Sequence, residues 1–300
     1  MDKILFNCPL NISRSLLNMV KDFTEQEIGN NRFAFVNEQH RLEHKSSLLN
    51  GLEEKQLPIL YIGMAFDFAN MSDESIVNSF DLMPILELRS ELREKAFANY
   101  NYWQVFAVVP FAIIYNKNLV TVIPTSWAEF ASKDYYGKVR LPMPQLPVSR
   151  VTKAIVEDMF PDSLDDFVDN CIFSGSPIDV VNAVDNGECE FGIVNLSFSR
   201  VSRHKNTKIL WLEDGLGCMP LIVAVRKGEL AKVRKIIDYI FSEEVQEFLA
   251  LQSFIPVLSK IKMPDIVREN QANIIWPGWK TFLSIYNSEA ITKISGEKIL

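Results

Sequence analysis

Histidine is scarce, at three residues in 300, and cysteine numbers four. Cys8, Cys171, Cys189 and Cys218 stand far apart, with no C-x-x-C pair and no neighbouring histidine to complete a zinc site. All four are expected to be unpaired packing thiols, because free cysteine behaves as a small buried hydrophobe. His40 and His44 have i, i+4 spacing, which suits a metal on a helix. The surrounding EQHRLEHK is strongly polar, however, and reads as a solvated face. No apolar run approaches the ~20 residues of a membrane-spanning helix; the longest, FAIIYN and LIVAV, are strand-sized. Lys and Arg are scattered, and a net charge of -7 argues against a nucleic-acid partner. G-x-S-x-G, G-x-x-x-x-G-K and a strand-following G-x-G-x-x-G are all missing, and Cys218 has no identifiable base, so no nucleophile or phosphate loop announces an enzyme. MDKILFNCPLNIS carries no charged leader with an apolar stretch, so either the protein stays inside the cell or a leader is missing; its compartment is left open.

What is present is a globular composition, 48% hydrophobic and 23% charged, long enough for two lobes with separate cores. KILFN, a turn, and a helix over about 13–24 form a strand–helix unit, with Leu16, Leu17, Val20 and Phe23 on one stripe. FAFV, a helix around LLNGLEE, and ILYIG repeat it, which implies parallel strands joined by helical crossovers. ILELRSELREKAF reads as an amphipathic helix. WQVFAVVPFAIIYNK is a long β-prone run broken by Pro110, which has no N–H to give a ladder, and GLGCMPLIVAVRKG is a second such run. Between them come KVRLP, a helix over 150–160 carrying Val151, Ala154, Ile155 and Met159, a helix capped by Ser176 and closed by Gly187, and the strand FGIVN. The two crossings divide the chain into a discontinuous lobe of 1–111 with 215–300 and an inserted lobe of 112–214.

IIYNKNLV followed by PTSWAEFASKDYYGKVRLP, then GSPIDVVNAVDNGECEFGIVN, then FSEEVQEFLALQSFIPVLSK, resembles type 2 solute-binding proteins of ABC transporters, in the branch of iron, spermidine/putrescine and thiamine binders. The departure is Ser253, where glycine is usual. The likeness covers about 100–260 by motif and 1–66 by pattern. It implies an α/β fold of two lobes, two mixed sheets flanked by helices and joined by two crossing strands. It further implies a non-enzymatic, monomeric binder without a cofactor, whose lobes close on a small polar or anionic solute for delivery to an ABC permease if the protein is exported. A ligand-sensing domain, or an enzyme of the same fold acting on an organic acid, is the alternative.

In ferric-binding members of that family two adjacent tyrosines follow the strand equivalent to FGIVN. Here Leu196, Ser197, Phe198 and Ser199 stand there, while Tyr135 and Tyr136 fall on the lead-in to KVRLP and read as packing. Ligands of open parallel sheets sit beyond the carboxyl ends of the strands, near helix amino termini. That selects Asn11 and Ser13 after strand one, Ala65 and Phe66 after ILYIG, Ser149 and Arg150 after KVRLP, Ser174 before the capped helix, and Asn195 and Ser197 after FGIVN. Ser13 and Ser149 can cap a helix or turn to a ligand oxygen, and Arg14 and Arg150 follow them as candidates for pairing an anion. Trp103, with Tyr102, is either a wall of the cleft or core. Trp276 and Trp279 in WPGW read as tail packing.

Overall fold

The computed structural model describes residues 1–38, 48, 56–69, 71–84, 86–97 and 100–284. His40, His44 and, apart from Leu48, the helix expected around LLNGLEE lie outside the described residues. The strands are β1 (Asp2–Asn7), β2 (Phe33–Asn37), β3 (Leu60–Met64), β4 (Gln104–Asn116), β5 (Val139–Leu141), β6 (Cys171–Phe173), β7 (Phe191–Asn195), β8 (Thr207–Leu210), β9 (Leu216–Val225), β10 (Ile255–Pro256) and β11 (Ile274–Ile275). Contacts divide the described residues into two compact units, Met1–Val108 with Met219–Asp265, and Val109–Cys218 with residues 266–284. Two of the three breaks fall inside the long crossing strands, β4 and β9, and the third follows Asp265.

The first unit is built on β2-β1-β3, parallel, with Phe6 beside both Asn37 and Ile62. β9 runs antiparallel on β3, and β10 pairs with the early part of β4. Every residue of β3 is buried, as the unbroken apolar run ILYIG requires of a strand covered on both faces. The helix Leu10–Glu27 lays Ile12, Leu16 and Val20 on this sheet, and its Phe23 ring stacks 4.1 Å from Tyr239 of the helix Leu230–Ile240. Each fully buried Ile, Leu or Phe stabilises by about 2 kcal/mol. Gln246 is wholly buried; its Nε2 donates to Phe106 O at 2.9 Å and Ile240 O at 3.2 Å, while its Oε1 accepts from Val257 N at 2.9 Å. One amide thus ties a helix, a crossing strand and the segment after β10. Ser253 adopts φ 68°, the left-handed region that suits the glycine usual in the resembling family.

The helix expected over ILELRSELREKAF is shorter, Ser90–Glu94. Arg89 is extended because tertiary bonds hold it: its N–H reaches Val257 O at 2.8 Å and its guanidinium Pro256 O at 3.0 Å and Ile261 O at 3.4 Å. Ala96, at φ 60°, breaks the other end.

In the second unit β4 pairs antiparallel with β7 on one side and β8 on the other, and β5 lies parallel between β7 and β6. Pro110 falls between the β10 pairing, which reaches Val108, and the β7 pairing, which begins at Phe111. The helix Pro177–Asn186 starts at a capping box of Ser176 and Asp179 and ends at Gly187 with φ 80°, as its punctuation predicts. The motif asparagine Asn116 donates to Val184 O at 2.6 Å, and Trp127 donates its ring N–H to Gly215 O at 2.9 Å. Tyr135 meets Phe191 edge-on at 5.3 Å and Phe130 at 5.8 Å, a packing role, whereas Tyr136 is 66% exposed.

The tail corrects the expected division. The sequence pattern places 215–300 in the first lobe, whereas residues 266–284 join the second unit. β11 pairs parallel with β9 at Leu216 and Gly217, Trp276, Trp279 and Phe282 form one ring cluster, and Thr281 bonds Asp158 at 2.9 Å. Apolar spacing marks a segment as packed; it does not say which core receives it.

Candidate functional site

In the first unit the carboxyl ends of β1 and β3 carry a polar network. Asp67, in the 3-10 turn Ala65–Phe68, accepts from Asn7 Nδ2 at 2.6 Å and from Tyr61 OH at 2.6 Å, both at Oδ2. Burial pushes the Asp67 carboxyl up to about 7; the bonds from Tyr61 and Asn7 pull it back and the charge of Glu38 adds to the rise. The same burial, with Asp67 beside them, raises the Tyr61 phenol and the Cys8 thiol. Gly63 is required here, since a Cβ would lie 2.6 Å from both Asn7 O and Tyr61 OH. Asn7 is 2% exposed and its Oδ1 has no partner; nor has either polar atom of the Asn11 side chain.

Ser13 does not cap its helix. Pro9 supplies the pre-set φ that starts the helix at Leu10, three residues earlier than Ser13, and the Ser13 hydroxyl donates to Asn37 Oδ1 at 2.7 Å. Ala65 and Phe66 are buried within the 3-10 turn. Trp103, 2% exposed, stacks on Tyr100 at 4.2 Å and meets Phe68 at 4.8 Å, inside the aromatic core. Arg14 is exposed.

In the second unit the helix begins at Pro147, so Ser149 lies within its first turn and not ahead of it; its hydroxyl donates to Pro142 O at 2.7 Å. Arg150 follows, half-buried. Ser174 donates its backbone N–H to Leu141 O at 3.0 Å and leaves the capping to Ser176. β5 and β7 are parallel neighbours, and the helix Pro147–Met159 packs on β7. At the end of β7, Asn195 Oδ1 and, in the following turn, Ser197 Oγ are enclosed and have no partner. The turn Leu196–Arg200 contains no tyrosine.

The sequence pattern does not single out Asn7, Tyr61 and Asp67 of the first network, nor the buried Lys153 of the second unit. Asp67 is a lone charge in the apolar stretch GMAFDFAN, which is a usable signal. Lys153 is four residues after Ser149, on the buried side of its helix, which the charge pattern alone does not disclose. Unsatisfied polar atoms in a buried position are costly, and those of Asn7, Asn195 and Ser197 lie at or just beyond strand carboxyl ends. Among the described residues no three His, Cys, Asp or Glu side chains gather as a metal site, and no helix is long and apolar enough to cross a membrane.

Residues 73–284 match the model of the bacterial extracellular solute-binding proteins. The ferric binding protein from Campylobacter jejuni superposes with a TM-score of 0.76 at 15% identity, over 98% of this chain and 99% of that one. Iron-bound HitA from Pseudomonas aeruginosa gives 0.75 at 11% identity, over 98% and 100%. A two-component system protein that mediates signal transduction gives 0.71 at 16%, over 94% and 95%. At such identities the likeness establishes the two-lobe α/β fold. No curated protein sequence matches the chain.

Proposed function

Because the chain belongs to the bacterial extracellular solute-binding proteins, we propose that it is a non-catalytic receptor that holds one small polar solute and offers it to a membrane permease. The observation that carries this reading is the set of enclosed, unpartnered polar atoms at strand carboxyl ends: Asn7 Oδ1 and both polar atoms of Asn11 in one unit, Asn195 Oδ1 and Ser197 Oγ in the other. Each lacks a bond that a bound guest would supply. An organic guest is favoured over ferric ion, because the turn after β7 offers Leu196, Ser197, Phe198 and Ser199 where the resembling iron binders place tyrosines. The fold shared with a signal-transduction protein supports a second use of the same receptor, as a sensor.

The test is a thermal-shift panel of oxyanions, amino acids, polyamines, thiamine compounds, sugars and ferric citrate. The active compound is then titrated into Asn11→Ala and Ser197→Ala. Each variant is expected to bind roughly tenfold more weakly, the effect of one or two lost bonds, with an unchanged melting temperature in the absence of ligand. Unaltered affinity in both variants refutes the assignment of these residues.

A further inference from the structure

The second unit has a pole that its strand-end site does not use. β4 runs antiparallel to β7 with Tyr115 opposite Phe191, so the end of β4 lies beside the start of β7, at the far end of that strand from Asn195. Two segments meet at this pole: the loop 117–125 that follows β4, and the stretch 201–208 that leads into β8.

Hydrogen bonds clasp the two together. Lys117 N–H donates to Asn206 O at 2.9 Å, Lys117 Nζ to Lys205 O at 2.9 Å, and Asn118 Nδ2 to Asn206 Oδ1 at 3.1 Å. The loop is caught again at its other end, where Glu213 N–H donates to Thr125 O at 2.9 Å. The buried carboxylate of Asp185 holds the second segment from within, accepting from the N–H groups of His204 at 2.7 Å and Asn206 at 2.9 Å and from the Ser202 hydroxyl.

That scaffold fixes what faces water. Lys117, Arg203, Lys205 and Lys208 are all exposed, and no acidic residue occurs between Phe191 and Leu212 or within the loop 117–125. The neighbouring carboxylates are engaged elsewhere: Asp185 by the segment it holds, Glu188 with Arg140 at 3.6 Å and Glu190 with Lys138 at 3.6 Å. On a chain of net charge -7 this is a local reversal of sign. Beside it Val122 is 75% exposed, and Leu119 and Ile123 46% each. Apolar residues exposed singly are ordinary, but three within five positions, on a loop clasped to a cationic segment, form a patch.

Apolar side chains set among cations suit the interface of an anionic bilayer, where the chains enter the headgroup boundary and Lys and Arg meet lipid phosphates. A protein partner is less well matched, because protein interfaces draw their binding energy from Trp, Tyr and Arg, whereas this patch offers Val, Ile, Leu and mostly Lys. We propose that this pole of the second unit docks peripherally on an anionic phospholipid surface, with Val122 and Ile123 entering the headgroup layer and the four cations facing its phosphates. The docking does not depend on the receptor role, and it leaves the strand-end site at Asn195 on the opposite end of β7.

Co-sedimentation with sucrose-loaded vesicles tests it, using phosphatidylcholine alone and phosphatidylcholine mixed with phosphatidylglycerol. The wild type is expected to pellet with the mixed vesicles and not with phosphatidylcholine alone, and to be released as salt rises from 0.05 to 0.5 M, flagged here as about the range over which surface charges become screened. Replacing both Lys205 and Lys208 by Gln should weaken partition by roughly twentyfold, about fivefold for each cation, while Lys205→Arg with Lys208→Arg retains it. Val122→Ser with Ile123→Ser should weaken it by roughly tenfold. All these side chains are exposed, so an unchanged melting temperature is expected in each variant. A wild type that stays in the supernatant with mixed vesicles, or pellets equally with both kinds, overturns the proposal. So does a wild type that fails to pellet but forms a dimer abolished by the Val122→Ser, Ile123→Ser pair, or binds polyglutamate instead, since the patch then serves a second copy or an acidic protein.

Discussion

Replacing Gln246 by alanine is expected to destabilise the first unit by about 4 kcal/mol. The side chain is fully buried and makes three bonds to backbone groups of three separate segments, at Phe106, Ile240 and Val257. Alanine leaves two carbonyls and one N–H without partners in a site that water does not reach, at about 1–3 kcal/mol each, and opens a cavity besides. Glutamate keeps the shape but supplies no N–H, so it should be at least as damaging. Hydrogen exchange at the amides of β1 and β3 reads the stability of this unit directly. A loss below about 1 kcal/mol would mean that the three segments are held by apolar contact alone.

The second large effect depends on pH and resides at Asp67. Its carboxyl is raised from the ordinary 3.8 to about 7, first by burial, with the bonds from Tyr61 and Asn7 opposing the rise and Glu38 adding to it. An acid with a raised pKa in the fold holds its proton there after the unfolded chain has released it. Between about pH 4 and pH 7 the folded state therefore binds more protons, and stability falls as pH rises through that window. A rise from 3.8 to about 7 corresponds to roughly 4 kcal/mol, fully expressed above pH 7. Asp67→Asn keeps an oxygen for Asn7 and Tyr61 and cannot ionise. It is expected to stabilise the first unit by about 3 kcal/mol at pH 8 and to converge on the wild type near pH 4. Equal stabilities of the two proteins at pH 8 would contradict the buried position of this carboxylate.

These two residues also show what a sequence discloses. Gln246 lies in a stretch whose resemblance to a family motif was plain, yet its bonds run to Phe106, 140 positions away, and nothing local encodes them. The parallel core was legible because ILYIG is apolar without a break, and the capped helix because Ser176, Pro177 and Gly187 each have a local backbone reason to stand where they do. Helix starts were misread where proline took the role expected of serine: Pro9 and Pro147 set the first turns, which moved Ser13 and Ser149 inside their helices. The strand-end rule leads to Asn11, whose two side-chain polar atoms have no partner, and to Asn195 and Ser197, whose Oδ1 and Oγ have none. It passed over Lys153 and Asp67, because a charge is read as solvated until the fold shows it enclosed. The place of the tail is not legible because β11 is a two-residue strand with no periodicity to read.

The reading of this chain as a solute receptor is tested most directly by native mass spectrometry of the protein purified gently from its own cells. The account predicts one added small-molecule mass per chain, lost when the protein is unfolded and restored by refolding with the released compound. A bare chain in every preparation, from a protein whose melting temperature no solute raises, would contradict it.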